Sequence, residues 1–220
     1  MKKIGPIILT TVFVSLYIAF FTWYGGSGKP LSEAEASALI AEMQQRSGNS
    51  GKTETLILQK FRDLAKSDDG KEYYMVNLMK FRKKALYPEG SGFNDNPIAA
   101  SNRYNAAIIP LLFKYAAHPV FGANVSGKFI SFEGAEEWDQ VAMVRYRSRR
   151  DMMKMAVEIA GSRIDIHKWA AFEKTHVFPV TPLVDLNFIR IMAALFFAAI
   201  ALSIHLFLGR FAFYTNYGKK

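Results

Sequence analysis

The sequence predicts an α+β domain held between two membrane-spanning helices. Three observations carry this: an apolar run near each end long enough to cross hydrocarbon, a middle with nearly balanced charge, and short strand-like segments there that alternate with helical ones across proline- and glycine-rich breaks.

The first run, IGPIILTTVFVSLYIAFFTWY (residues 4–24), has no charge and would span roughly 30 Å as a helix. It exceeds the h-region of about 7–15 residues of a secretory signal, and its aromatic end, Phe20, Phe21, Trp23 and Tyr24, suits a membrane interface. An uncleaved anchor is expected; a cleaved signal is the alternative, with GGSG a weak cleavage site. The second run, FIRIMAALFFAAIALSIHLFL (188–208), is interrupted only by Arg190 and His205 near its ends, where such side chains reach the headgroups. Lys2, Lys3, Arg210, Lys219 and Lys220 flank the two spans on one side, so both termini are expected in the cytoplasm of a two-pass inner (plasma) membrane protein, with the central domain extracytoplasmic, periplasmic in a bacterium.

The formal charge is +9, yet residues 29 to 187 hold 22 Lys or Arg against 19 Asp or Glu, a balance of only +3. The basic excess therefore belongs to membrane topology, and nucleic acid is not an expected partner. With no cysteine there are no disulfides and no thiolate metal sites.

Between the spans, GGSGKP is a flexible exit. LSEAEASALIAEMQQRS follows as an amphipathic helix capped by Ser32, with Glu33 and Glu35 at its positive end. SGNSGKT breaks it, and TETLILQKFRDLAKSDDG reads as a second, to lie on the domain or on lipid. YYMVNLMKFR (73–82) is a strand. IAASNRYNAAIIPLLFKYAA (98–117) is a helix with Pro110 as a kink. VFGANVSGKFISFE is a second strand from Pro119, GAEE turns it, and WDQVAMVRYR closes a hairpin. Ser148 caps the next helix with Asp151 at N3, and KWAAFEKTHVFPV is a fourth strand. Strand, helix, strand, strand, helix, strand is the ferredoxin-like βαββαβ order. The expected layout is an anchor and exit linker (1–28), an amphipathic segment (29–71), the α/β domain (72–182), and the second span with its tail (183–220).

VNLMKFRKKALY and WDQVAMVRYRSRRDM followed by HKWAAFEKT resemble an uncharacterised family of the dimeric α/β-barrel superfamily, over about residues 72 to 182. The resemblance implies two ferredoxin-like units joining their sheets around a cavity, used in some relatives for small-molecule oxygenation, isomerisation or haem chemistry. A homodimer through the sheet face is the matching expectation, since both faces of the first strand are substantially apolar.

Candidate ligand-binding residues follow from polar groups in apolar settings: Asn77 between hydrophobic neighbours, Tyr104, Trp138, Asp139 and Arg145, all expected to approach one cavity. Arg147, Arg149 and Arg150 complete a four-arginine cluster; the last two oppose the positive end of a helix, which points to acidic partners in the domain, to another subunit or to anionic headgroups. No catalytic set is named, and no cofactor or metal is expected. Haem, the alternative, would have only His167 to offer as an axial ligand. The expected function is an accessory or assembly subunit of a membrane complex, in contact with lipid and other membrane-protein subunits. The alternatives are a membrane-tethered enzyme, cofactor-free or haem-dependent, that uses the barrel cavity, and a ligand-binding sensor.

Overall fold

The computed structural model describes residues 4–47 and 51–217. Lys2, Lys3, Lys219 and Lys220, the Arg210 side chain, and Gly48 to Ser50 of the expected break lie outside what is described. The chain divides into two compact units, residues 1–24 with 184–220, and residues 25–183.

The first unit pairs α1 (Ile4–Gly25) with α7 (Ile189–Tyr217). Both are long and apolar enough to cross a membrane, over Gly5–Gly25 and Ile189–Gly209, and within those spans Tyr24 is buried and the other described side chains are exposed or half-buried. Such helices present apolar side chains all round because lipid, unlike water, accepts them. Phe13 and Phe197 meet at 6.3 Å between ring centroids. Arg190 stands over the Phe21 and Tyr24 rings at 5.6 and 5.0 Å, and the Asn187 amide donates to the Tyr24 hydroxyl at 3.0 Å. The second helix runs on to Tyr217, beyond the predicted end of the apolar run, because nothing in FAFYTNY breaks it.

The second unit contains a four-stranded antiparallel sheet of β1 (Tyr73–Phe81), β2 (His118–Asn124), β3 (Gln140–Tyr146) and β4 (Phe172–Val180), in spatial order β2-β3-β1-β4. Helix α4 (Pro97–Lys114) joins β1 to β2, and α5 (Arg149–Ala160) with α6 (Asp165–Ala171) joins β3 to β4. One sheet face carries Tyr73, Met75 and Asn77 of β1, and the register places Tyr146, Val144 and Ala142 of β3 beside them. Tyr73, Met75 and Tyr146 pack with Ile108 and Leu112 of α4 and Met155 of α5, forming the main core.

The caps are local. Asn96 accepts the Ala99 amide at 3.0 Å with Pro97 opening α4, where its missing N–H costs nothing. Ser148 accepts the Asp151 amide at 3.1 Å. Helix α4 stops at Lys114 instead of Ala117, because Ala116 turns into the left-handed region (φ 52) and the Ala117 amide bonds back to the Leu112 carbonyl.

The amphipathic preface, α2 (Glu33–Ser47) and α3 (Gly51–Lys66), lies on the domain: Ile40, Met43, Leu58 and Ala65 bury against Met153 and Val157 of α5. Ser32 caps α2 as expected, accepting the Glu35 amide at 3.2 Å.

Two strand assignments are corrected. The second strand ends at Asn124, since β3 begins only at Gln140 and, past the Val125 amide that bonds the Asp139 carbonyl at 2.8 Å, the chain to residue 132 joins no described strand; Phe129, Ile130 and Phe132 stand 97, 84 and 89% exposed. Strand propensity without a partner edge does not make a strand. Likewise, residues 168–171, expected to open the fourth strand, belong to α6, because Ala170 and Ala171 nest against Ala100 of α4. The third strand is also shorter than expected, with Trp138 and Asp139 preceding it.

Candidate functional site

Between the sheet and the helices the domain has a half-open cavity of about 620 Å³, within the range of about 300–1,000 Å³ of small-molecule sites. Its walls are apolar: Phe61 of α3, Met75 of β1, Ile108 of α4, and Met152 and Met155 of α5. A neighbouring cavity of about 660 Å³ opens toward β2, and Asn77, Tyr104, Ile108 and Tyr146 line both.

Besides Ser47, Arg163 and Asp165 among the lining residues, four polar groups interrupt the apolar wall. Asn77 sits at the middle of β1, opposite Ala142 and Val177; its amide donates only to the Met75 carbonyl at 3.3 Å, so among the described residues its Oδ1 lacks a donor. Tyr104 of α4 and Tyr146 of β3 contribute hydroxyls that hydrogen-bond to no described residue. Burial, and for Tyr104 also the nearby Asp165 carboxylate, raises the Tyr104 phenol to about 12; burial first, then the neighbouring Tyr104, pushes the Tyr146 phenol higher still. Both therefore remain hydrogen-bond donors at any physiological pH.

The fourth group is Lys168 of α6. Its ammonium lies 5.8 Å from the Tyr104 ring centroid and 5.7 Å from that of Trp169, and no carboxylate of the described residues is within ion-pairing distance. Its side chain keeps some access to solvent, but the surrounding protein strips part of its hydration, and that loss of water lowers it from 10.5 to about 8. Sequence reasoning missed Lys168 and Tyr146. For Lys168 the missed signal was DIHKWAAF itself, where Ile166, Trp169 and Ala170 recur at helical spacing behind an acidic first turn.

The five expected ligand residues are thus divided. Asn77 and Tyr104 meet at the cavity; Trp138, Asp139 and Arg145 line neither space. Trp138 packs toward His176 at 6.2 Å. Asp139 accepts from the Phe81 amide at 2.7 Å and from Lys80 at 3.2 Å, joining the ends of β1 and β3. Arg145 points to the opposite sheet face beside Tyr74, is fully buried, and bonds the Ala116 carbonyl at 2.8 Å and the Glu72 carboxylate.

The remaining arginines pair within the domain. Arg147 holds both Asp151 oxygens, at 2.7 and 2.6 Å. Arg149 reaches Asp69 at 3.0 Å and stands over the Tyr73 ring. Arg150 bonds Glu35 at 2.8 Å and the Lys29 and Pro30 carbonyls. Three of the acids, Glu35, Asp69 and Glu72, belong to the preface and the turn before β1, so the cluster fastens residues 29–72 to the β3–α5 corner. Asp68 adds to this join: it is buried and accepts the Leu31 amide at 2.6 Å. Glu136 and Glu137 bond Lys174 and Lys128 and take no part in the cluster.

His167 accepts or donates at Nδ1 to the Tyr87 hydroxyl (2.8 Å) and meets the Phe93 ring edge-on, outside both cavities. Among the described residues no group of three or more His, Asp or Glu is placed to hold a metal ion.

A solved bacterial protein shares this fold. It is the protein RPA0582 of Rhodopseudomonas palustris, of unknown function, 21% identical, with a TM-score of 0.52 over 58% of this chain and 94% of that one. Its methylated form aligns with the same identity and TM-score over 64% of this chain and 99% of that one. No protein-family description matches the chain, and no curated protein matches it.

Proposed function

We propose that this chain is a two-pass membrane protein whose ferredoxin-like extracytoplasmic domain binds a small, largely apolar ligand in the cavity beneath its sheet. The observation that carries this reading is the combination of an apolar cavity of about 620 Å³ with four polar groups, Asn77, Tyr104, Tyr146 and Lys168, whose bonding capacity the protein leaves partly unused. A ligand with complementary donors and acceptors meets these groups without breaking any bond the domain already makes through them, apart from the Asn77–Met75 contact. The order strand, helix, strand, strand, helix pair, strand and the sheet order β2-β3-β1-β4 support the ferredoxin-like assignment. Two terminal apolar helices support the anchoring.

The test is displacement of an environment-sensitive apolar dye from the full chain in lipid nanodiscs. Saturable binding beyond that of empty nanodiscs, lost in Tyr146→Trp, which fills the cavity, supports the reading; binding equal to empty nanodiscs overturns it. The chain lacks cysteine, so a single cysteine at exposed Phe129 reports orientation: a membrane-impermeant maleimide should label it in intact cells.

A second reading, an accessory module that assembles through its sheet, is favoured by a different observation. The sheet face away from the core carries Val76 and Leu78 of β1, Val141 and Met143 of β3, with Phe121 of β2 and Phe178 of β4 in register, and the last two are 53 and 37% exposed. Pairing with a second copy would cover that face. Crosslinking through cysteines at Phe121 and Phe178 should capture a dimer; a monomer at all concentrations refutes it.

A further inference from the structure

We infer that the cavity beneath the sheet selects an apolar molecule bearing a single carboxylate, which Lys168 receives as its missing counter-charge; this rests on the cavity being a ligand site. The charges around it are the reason. Every arginine of the corner described above meets an acid, whereas the Lys168 ammonium faces only the Tyr104 and Trp169 rings. A cation held over aromatic faces is attracted to them, but it still lacks an anion.

The surrounding elements supply none. Strand β1 presents Asn77 and Met75, β3 presents Tyr146, α4 presents Tyr104, and α5 presents Met152 and Met155. The two other charged residues of the lining, Arg163 and Asp165, are exposed and opposite in sign, so they leave the lining with a net single positive charge. His167 is engaged with Tyr87. A net single positive charge, two phenolic donors and a largely apolar wall match a monoanionic head on a hydrocarbon body: the carboxylate accepts from Lys168 and from a tyrosine, and the chain lies along the methionines. A phosphate monoester, with its second charge, exceeds the net charge of this lining, because Asp165 offsets Arg163. The lowered affinity of Lys168 for its proton, toward about 8, fits an amine that awaits an anion and would regain its proton affinity on binding one.

Titration calorimetry of the full chain in nanodiscs, with empty nanodiscs subtracted, compares decanoate with its methyl ester at pH 7. The wild type should bind the acid at least tenfold more tightly. Lys168→Met should bind both with the affinity of the ester, and Lys168→Arg should restore the preference; ester binding in each variant shows that the cavity is intact. Acid affinity should hold up to about pH 8 and weaken about tenfold per unit above it, as the ammonium is lost. Equal binding of acid and ester by the wild type, or a preference that survives Lys168→Met, overturns the inference while leaving the cavity reading in place. Binding of neither overturns both.

Discussion

Replacing Arg145 by methionine removes a guanidinium with no exposed surface from a site where it bonds Glu72 and the Ala116 carbonyl. Methionine roughly preserves volume, so the cavity contribution is small. What remains is electrostatic. Breaking a buried pair typically costs about 3–5 kcal/mol, and the low end applies because Glu72 keeps 26% of its side-chain surface in water. The carbonyl of Ala116 loses its donor, which adds about 1 kcal/mol. A loss of about 4 kcal/mol, with a urea m-value of about 2 kcal/mol/M, lowers the unfolding midpoint by about 2 M. Pulse proteolysis of the full chain in detergent across a urea series reads that shift. Removing the acid as well, in Arg145→Met with Glu72→Leu, should restore at least half of it, because an apolar pair replaces a lone buried charge. A single-variant shift below about 0.5 M, or a double variant no better than the single, would refute the assignment of Arg145 as the structural cation of this corner.

Further outcomes follow from other contacts. Gly70 lies at φ 75, and a Cβ there would sit 2.6 Å from the Gly28 carbonyl oxygen, so Gly70→Ala should destabilise the domain by more than 2 kcal/mol and free residues 25–30 for protease cleavage. Burial lifts the Asp151 carboxyl, but hydrogen bonds from Arg147 and Ser148 outweigh it and hold it below its usual 3.8. Its contribution is therefore complete above pH 3.8 and lost as pH falls through the lower folded value; Asp151→Asn should cost about 1–3 kcal/mol at pH 7 and flatten the acid limb of a stability–pH curve. The Lys168 ammonium is disfavoured by burial, so in the empty protein stability should rise with pH between about 8 and 10.5. Lys168→Met should stabilise the chain at pH 7 by roughly 2–4 kcal/mol and abolish that slope, and unchanged denaturation curves would show the amine to be fully hydrated.

Much of the architecture was legible in the residues because it depends on local rules. Apolar runs of membrane-spanning length mark α1 and α7, and alternation in YYMVNLMKF marks β1. Ser32, Ser148 and Asp151 announce their helix starts through short-range hydrogen bonds that a sequence fully contains. Asn77 and Tyr104 stood out as polar groups in apolar company, and both reach the cavity. The errors arose where the answer lies in a distant neighbour. VSGKFISF has strand composition, yet β3 starts too late to pair with it; HKWAAF has the look of a strand entrance, yet Ala100 offers its alanines a helical berth.

The sequence by itself therefore determined what each segment prefers and which ends suit lipid, since hydrophobicity, periodicity and capping act over a few residues. Tertiary structure alone decided what the charges do. The arginine cluster found its acids 35 residues or more away, apart from the local Arg147–Asp151 pair, and became a fastening for the preface. Lys168, inconspicuous in the chain, was left facing two rings without an anion. Charge interactions fall off with distance in space and deepen with loss of water, and neither quantity exists until the chain has folded.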